Sequence, residues 1–319
     1  VAITVQSIGL LILTGLNVIS IPDSTFPIIG TIIGAFIFGI GIVLAGGCAT
    51  GTWYRAGEGL IGSWVALVLY AVTAAITKTG ILLPVMSWIN KPTNINANMS
   101  QTTGIHMWVF TLVLTVRTII CVTKKLRTPT PKFAAPKLKQ KYSGLRHYLF
   151  EKRYHPFVAG IAVGLIALIA WPMSISTGRD YGLGITTPSA NLITFLITGD
   201  TKLIDWGVLL ILGIFLGSYI AAKGSREFKW RLPDKKTIRN SAIGGICMGF
   251  GASVAGGCSI GNGLVETAIM SWKGWIALGS MILGVWFMSY FIFIRPIKKL
   301  EKQTSKSQAT TATKQVQTT

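Results

Sequence analysis

Acidic residues and histidine are scarce in this sequence. Only 10 of its 319 residues are Asp or Glu, three are His, and 13% are charged in total, whereas soluble domains carry about 25% charged residues. The four cysteines are Cys48, Cys121, Cys247 and Cys258, and no two of them form a CxxC pair. These absences argue against a soluble enzyme, a metal site and a disulfide framework. We therefore expect no enzymatic activity, no cofactor and no bound metal.

Hydrophobic residues are abundant instead: they make up 50% of the chain, and the mean hydropathy is +0.57. An apolar helix of about 20 residues crosses roughly 30 Å of hydrocarbon. Eight apolar stretches are predicted to do so: residues 2–21, 28–45, 60–83, 105–123, 157–176, 206–222, 238–255 and 275–294. A shorter stretch, 185–197, contains Pro188 and is predicted to be re-entrant or superficial. The sequence thus predicts an all-α polytopic membrane protein.

The 30 Lys and Arg residues give a net charge of +20, and most of them fall into three clusters. Ten lie in residues 124–153, seven in 223–239 and six in 295–314. Short basic loops between apolar runs mark the cytoplasmic side of a membrane protein, so we expect the bilayer and no nucleic acid as the partner of these charges. The stretches expected to face outward are 21–27, 84–103 and 177–205.

The tripeptide Gly-Gly-Cys occurs twice, ending at Cys48 and at Cys258, 210 residues apart. Further matches at this offset are Gly34/Gly244, Gly39/Gly249, Gly41/Gly251, Ala45/Ala255, Gly46/Gly256, Gly47/Gly257 and Gly51/Gly261. Small residues are common at helix contacts in membranes, but that alone does not explain a shared register. Together with the opposed orientations that the basic loops predict, the matches indicate an inverted-topology repeat.

In transporters with inverted repeats, broken helices of the two halves meet near the middle of the bilayer and form the substrate site. Glycine permits the break, and the helix that follows presents backbone N–H groups to an anion. The sequence therefore predicts a pathway for a small anion, lined by the thiols of Cys48 and Cys258. The glycines of this pathway would be Gly46, Gly47, Gly51, Gly256, Gly257 and Gly261. The alternative for each cysteine is a small packing residue, which we prefer for Cys121 and Cys247.

The pattern also predicts the organisation of the chain. Its four parts are a first transmembrane repeat (1–123), a basic cytoplasmic linker (124–156), a second transmembrane repeat (157–296) and a disordered cytoplasmic tail (297–319). The second repeat has a segment before residue 206 that has no counterpart before residue 2. By symmetry we expect roughly forty to fifty further residues ahead of Val1.

Three motifs resemble those of the YeeE/YedE family of bacterial inner-membrane sulfur transporters. They are LAGGCATGTWYRAGEG (44–59), GFGASVAGGCSIGNGL (249–264) and GRDYGLGIT (178–186). The resemblance implies thiosulfate uptake across the inner membrane, with Cys48 and Cys258 lining the central path and a cytoplasmic sulfur-carrier protein as a candidate partner. A further cysteine of the family, in its N-terminal segment, has no match in this sequence.

Charged residues near the motifs are candidates for the mouths of the pathway. Arg55 and Glu58 would lie at the cytoplasmic mouth and Arg179 at the outer one; structural ion pairs, Arg179 with Asp180 among them, are the alternative.

Three other functions stay open: transport of another sulfur or selenium oxyanion, a membrane thiol–disulfide oxidoreductase, and a membrane scaffold. The oxidoreductase would need paired, accessible cysteines, whereas a scaffold would have no need of two matched helix breaks.

Overall fold

The protein is almost entirely helical in the computed structural model, which describes residues 1–19, 25–91, 94–128, 144, 147, 150, 154–179 and 181–297. The α-helices are α1 (Ala2–Gly15), α2 (Ile28–Ala45), α3 (Ala49–Gly57), α4 (Ile61–Thr79), α5 (Leu83–Asn90), α6 (Met99–Thr103), α7 (Met107–Arg127), α8 (Pro156–Ser176), α9 (Thr186–Thr198), α10 (Trp206–Gly224), α11 (Lys235–Val254) and α12 (Trp272–Ser289). A 3₁₀ turn (Thr201–Leu203) and two π-helical segments (Gly261–Glu266 and Tyr290–Ile294) complete the helical part. The strands β1 (Thr25–Pro27) and β2 (Asn94–Asn96) form one small antiparallel pair. The predicted all-α class is confirmed.

Six helical segments of the described chain are long and apolar enough to cross a membrane. They are Ile28–Gly57, Ile61–Thr79, Met107–Arg127, Pro156–Ser176, Trp206–Gly224 and Trp272–Ile297. The protein is therefore a multi-pass membrane protein, although two of the eight predicted spans do not meet this criterion. The first ends at Gly15, after which Asn17 adopts a left-handed conformation with φ 55°. The other, α11, is long enough, but Lys235, Lys236 and Arg239 in its first turns lower its hydropathy.

The stretch predicted to be re-entrant or superficial is a regular helix, α9, in spite of its proline. Pro188 is the third residue of this helix. The first turn of a helix makes no use of its own N–H groups, so proline is tolerated there. α9 packs on α4 and α10, and Leu183 and Ile185 of the loop before it lie in the buried core.

The centre of the fold is an antiparallel pair of helices, α2 and α11. A Cβ added at Gly34 would lie 2.5 Å from the backbone nitrogen of Ala255, and one added at Gly244 would likewise meet the backbone nitrogen of Ala45. Gly244 is the repeat equivalent of Gly34, and Ala255 is the repeat equivalent of Ala45. Exchanging the two halves therefore turns one contact into the other. Only glycine lets the backbones approach this closely.

The second layer of the fold repeats this reciprocity. α2 packs on α12, while α11 packs on α4. In each half, the long helix that follows the short helical segment after the break is the one that the other half contacts. A Cβ at Gly249 would lie 2.5 Å from the carbonyl oxygen of Tyr70 in α4, and its equivalent Gly39 meets the carbonyl oxygen of Met281 in α12. The contacts are those expected of two halves related by a twofold axis.

Backbone pairing shows which loops lie at the same end of the helices. β1, just before α2, pairs with β2, and Asn98 bridges to Ser271 at the start of α12. At the opposite end, Ile61 N–H donates to the carbonyl oxygen of Arg231 at 3.2 Å. The start of α4 therefore lies beside the basic cluster 223–239. This grouping agrees with the predicted sidedness, but most of the linker 124–156 and the tail beyond residue 297 lie outside the described residues.

Thiol labelling of whole cells tests the sidedness. In a background whose four native cysteines are replaced, a cysteine introduced at exposed Lys91 should react with an impermeant maleimide. A cysteine at Ser143, in the basic linker, should react only after the cells are opened. Basic loops resist translocation, so labelling of the Ser143 position in intact cells would reverse the proposed orientation.

Candidate functional site

The first break separates α2 from α3. Gly46 follows α2 in the left-handed region with φ 73°, and Gly47 N–H donates back to the carbonyl oxygen of Ile42 at 3.0 Å. This geometry ends a helix at little cost when the left-handed residue is glycine. Cys48 is the N-cap residue of α3 and is half-buried. Arg55, two turns further along α3, donates from Nη1 to the carbonyl oxygen of Gly46.

The second break has the same backbone but different side chains around it. Gly256 has φ 70°, and Gly257 N–H donates to the carbonyl oxygen of Ala252 at 2.8 Å. Cys258 follows and is only 1% exposed. Asn262 Nδ2 donates to the carbonyl oxygens of Ala255 (3.2 Å) and Gly257 (2.9 Å), which holds the break from inside the following π-helix. The chain carries a helix break at each end of the α2–α11 pair.

A pocket of about 250 Å³ reaches the second break; we call it the Cys258 pocket. Its lining consists of Arg179, Tyr181, Gly184, Ile185, Thr186, Thr187, Gly256, Gly257, Cys258, Gly261 and Lys273. Five of the predicted site residues (Cys258, three glycines and Arg179) therefore meet at one cavity. The loop before α9 supplies the other wall, so the GRDYGLGIT motif and the second Gly-Gly-Cys motif form a single site.

Two ion pairs border the Cys258 pocket. Arg179 Nη1 lies 3.8 Å from Asp205 Oδ2, and Lys273 Nζ lies 3.0 Å from Oε1 of Glu266, which is 4% exposed. The Tyr181 hydroxyl donates to the same Oε1 at 3.3 Å. Burial and then the charge of Glu266 raise the pKa of Tyr181 well above its usual value, so the hydroxyl keeps its proton. Asp180, the ion-pair partner that the sequence offered for Arg179, lies outside the described residues.

Sequence reasoning missed Tyr181 and Lys273, which line this pocket, and Lys78, which bonds to the lining residue Thr187. Lys78 comes at the end of apolar helix α4, where its Nζ donates to Thr187 Oγ1 at 2.5 Å. The sequence did carry a signal for both lysines. Lys78 and Lys273 are two of only seven basic residues outside the three basic clusters. Basic residues alone in apolar sequence are expensive and mark functional sites.

A second pocket, of about 230 Å³, reaches the first break; we call it the Gly46 pocket. It is lined by Ala45, Gly46, Arg55, Leu60, Gly62, Ser63, Arg231, Leu232, Pro233, Thr237 and Ser241. Glu58 lines a different cavity, next to Ala222 and Glu227, and within the described residues it forms no ion pair with Arg55. The cavities next to Arg55 and Glu58 share Leu60 and Arg231, and the common place of these two residues at the cytoplasmic mouth stays a prediction.

Tyr70 of α4 connects the surroundings of the two thiols. It is fully buried, and its hydroxyl donates to Thr186 Oγ1, in the wall of the Cys258 pocket, at 2.9 Å. Tyr70 lies in the buried core that also contains Cys258 and Ala49, the residue after Cys48. All four cysteines are free thiols. The buried core around Tyr70 thus includes residues next to both glycine breaks.

A multi-pass α-helical protein with matched helix breaks, each reached by a pocket, has the architecture of a transporter. Comparison with known proteins agrees with this class. A family model described as "Sulphur transport" matches residues 1–287, and the chain therefore belongs to the sulphur-transport family. The resemblance that the motifs carry is confirmed.

Individual relatives carry more specific names. The chain is 51% identical over 305 residues to the thiosulfate transporter TsuA of Escherichia coli (strain K12), a match that covers 96% of this chain and 86% of that protein. It is 31% identical over 307 residues to the thiosulfate transporter TsuA of Spirochaeta thermophila, with 92% and 86% covered. A shorter match, 34% over 95 residues, relates 28% of the chain to 24% of the probable transporter YedE of E. coli.

Proposed function

We propose that this protein takes up thiosulfate across the bacterial cytoplasmic membrane, by way of Cys258 and then Cys48. One observation carries the proposal: a pocket bordered by cationic side chains ends on the buried thiol of Cys258. The names of the two TsuA relatives support thiosulfate as the substrate. Transport of another sulfur or selenium oxyanion is the alternative, since the charge of the pocket suits any small dianion.

The direction of transport follows from the proposed sidedness. With the basic clusters and the C-terminus in the cytoplasm, α11 starts at the cytoplasmic side and ends at the outer side. The Cys258 pocket then opens outward. α2 runs the opposite way, so the Gly46 pocket opens to the cytoplasm, where Arg55 receives the anion and a soluble sulfur-carrier protein is the proposed recipient.

The reciprocal contacts of α2 and α11 support the interpretation of the two halves as an inverted repeat. In such proteins the substrate crosses at the junction of the halves. The helix pieces that follow Cys48 and Cys258 begin with N–H groups that no earlier turn accepts, and these favour negative charge. Each half thus contributes a thiol and a helix start to one path.

The thiols suit the passage of a soft dianion. Moving such an ion into hydrocarbon unassisted costs on the order of tens of kcal/mol. An S–H group is a weak donor, so it contacts the terminal sulfur of thiosulfate without the lasting hold of an ion pair. Conduction requires binding that is strong enough for the ion to enter and weak enough for it to leave.

Uptake assays decide between the substrates. In a sulfur-starved host without its own thiosulfate uptake, cells that make this protein should accumulate labelled thiosulfate far faster than cells with the empty vector. Labelled sulfate and selenite, supplied at the same concentration, should enter at lower rates because they lack a terminal sulfur for the thiols. Equal uptake of sulfate would favour the broader oxyanion transporter, and thiol oxidation coupled to quinone without uptake would favour the oxidoreductase.

A further inference from the structure

We infer that Lys78 holds the anion in the Cys258 pocket by its charge, whereas Cys258 selects for sulfur. The inference rests on the proposed function and divides recognition between two residues. Lys78 is the penultimate residue of α4, and its Nζ donates to Thr187, a lining residue of the pocket. Because Thr187 lines the same cavity as Arg179, Lys273 and Cys258, this hydrogen bond places the Lys78 ammonium group beside that cavity.

The other two cations of the pocket already have carboxylate partners. Arg179 is next to Asp205, and Lys273 is bonded to Glu266. In the described part of the chain, which excludes residue 180, no carboxylate lies within 4 Å of Lys78 Nζ; the hydroxyl of Thr187 is its partner. A cation held by a neutral hydroxyl can turn to an anion without breaking an ion pair. Lys78 is therefore the charge available to the substrate.

Arg179 provides a second sign that the pocket is built for an acceptor. Its Nη1 is buried and has no hydrogen-bond partner, because Asp205 is at 3.8 Å, beyond hydrogen-bond distance. Backbone at Gly184 and Gly207 packs directly against the guanidinium, and neither position has room for a Cβ. Buried donors are normally satisfied. An anion oxygen in the pocket would satisfy this one while Lys78 compensates the added charge.

The remaining carboxylate of the wall does not oppose binding by itself. Glu266 is held by two donors, Lys273 Nζ at 3.0 Å and the Tyr181 hydroxyl at 3.3 Å. Its charge is therefore balanced before the anion arrives. With Arg179 balanced by Asp205, the described groups leave the pocket with the one positive charge of Lys78, which favours an anion.

This division of roles makes a distinct prediction for two anions. Loss of the Lys78 charge should weaken thiosulfate and sulfate alike, because both are dianions of similar shape. Loss of the Cys258 thiol should weaken thiosulfate but not sulfate, because only thiosulfate has a terminal sulfur. A hydrogen bond to a charged group contributes enough to change a binding constant by about 10- to 100-fold.

The experiment measures anion binding to the purified full chain by titration calorimetry, with thiosulfate and with sulfate as probes. Lys78→Met should raise both dissociation constants by about 10- to 100-fold, and Lys78→Arg should stay within a few-fold of wild type. Lys202→Met, which removes the charge of an exposed lysine outside the pocket, is the matched control. Cys258→Ser should raise the constant for thiosulfate alone.

Equal binding by Lys78→Met and wild type would overturn the inference, as would an equal loss in Lys202→Met. Melting temperatures without anion separate a folding defect from a binding defect, and Lys78→Arg provides a folded variant in which position 78 keeps its charge. The two proposals fail differently. If wild type binds sulfate through Lys78 but cells take up no thiosulfate, the proposed function is wrong and the anion site stands.

Discussion

Thiosulfate uptake is expected to fall by about 10- to 100-fold when Cys258 is replaced by alanine. The thiol of Cys258 closes the inner end of its pocket and is 1% exposed. In the proposed pathway, alanine removes the S–H group that would donate to the terminal sulfur. A net hydrogen bond contributes about 1 kcal/mol and an unsatisfied buried partner costs about 1–3 kcal/mol; each 1.4 kcal/mol is a tenfold change in rate.

Serine should give an intermediate rate, because a hydroxyl serves the oxygens of the anion but suits its terminal sulfur poorly. The same order is expected at Cys48, which occupies the equivalent position in the other half. The measurement is uptake of labelled thiosulfate, normalised to folded protein in the membrane, in a version of the chain that includes any N-terminal segment of the natural protein.

The chain offers two matched controls for the cysteine variants. Cys121 is exposed on α7, and Cys247 lies half-buried on α11; neither adjoins a glycine break. Alanine at either position should leave uptake within about twofold of wild type, because a small thiol away from the path contributes only modest packing. Wild-type uptake in both Cys48→Ala and Cys258→Ala would mean that the two cysteines only pack and that the path lies elsewhere.

The second large effect is expected at the crossing of α2 and α11. Alanine at Gly34 would bring its Cβ within 2.5 Å of the Ala255 nitrogen and 2.7 Å of the Gly251 carbonyl oxygen. Both neighbours are backbone atoms and cannot turn aside. Such overpacking costs about 1–3 kcal/mol. We expect the free energy of unfolding to fall by this amount and transport to fall with it, because the helices that carry both breaks must separate.

Gly251 faces Gly34 across the same crossing, and Gly251→Ala should have a similar effect. Its Cβ would lie 2.6 Å from the Gly34 carbonyl oxygen and 2.6 Å from the Phe38 nitrogen. Gly213→Ala and Gly217→Ala on α10 are the controls, because a Cβ at either meets nothing within 4 Å. These controls should be neutral or slightly stabilising, since alanine favours a helix over glycine by about 1 kcal/mol. Equal unfolding free energies for Gly34→Ala and Gly213→Ala would contradict the close crossing.

The sequence alone was sufficient to predict the class of protein and its two breaks. Apolar runs of membrane length and clustered basic loops are local properties that do not depend on how the helices pack. The helix break is also local, because glycine at positions 46 and 256 permits the left-handed backbone that ends each helix. Repetition of one motif at a constant offset then paired Cys48 with Cys258 before any contact was known.

Helix boundaries were less predictable where the end of an apolar stretch does not coincide with the end of the helix. The first apolar stretch continues past Gly15 in the sequence, but the helix ends there and Asn17 turns out of it. Pro188 suggested an interruption, yet its place in the first turn leaves α9 intact. The first case depends on a left-handed residue after the helix and the second on which backbone N–H groups the first turn needs; composition reports neither.

Only the tertiary structure decided which polar residues share the site. Lys78 and Lys273 are 195 positions apart in the sequence. Lys273 lines the Cys258 pocket and Lys78 bonds to Thr187 of its wall, because α4 and α12 each pack on the central pair. Arg55 lies in the last turn of α3 and Glu58 directly follows that helix, but they line different cavities. Sequence spacing determines the face of a single helix, whereas the partners of a charge in a membrane protein depend on the packing between helices.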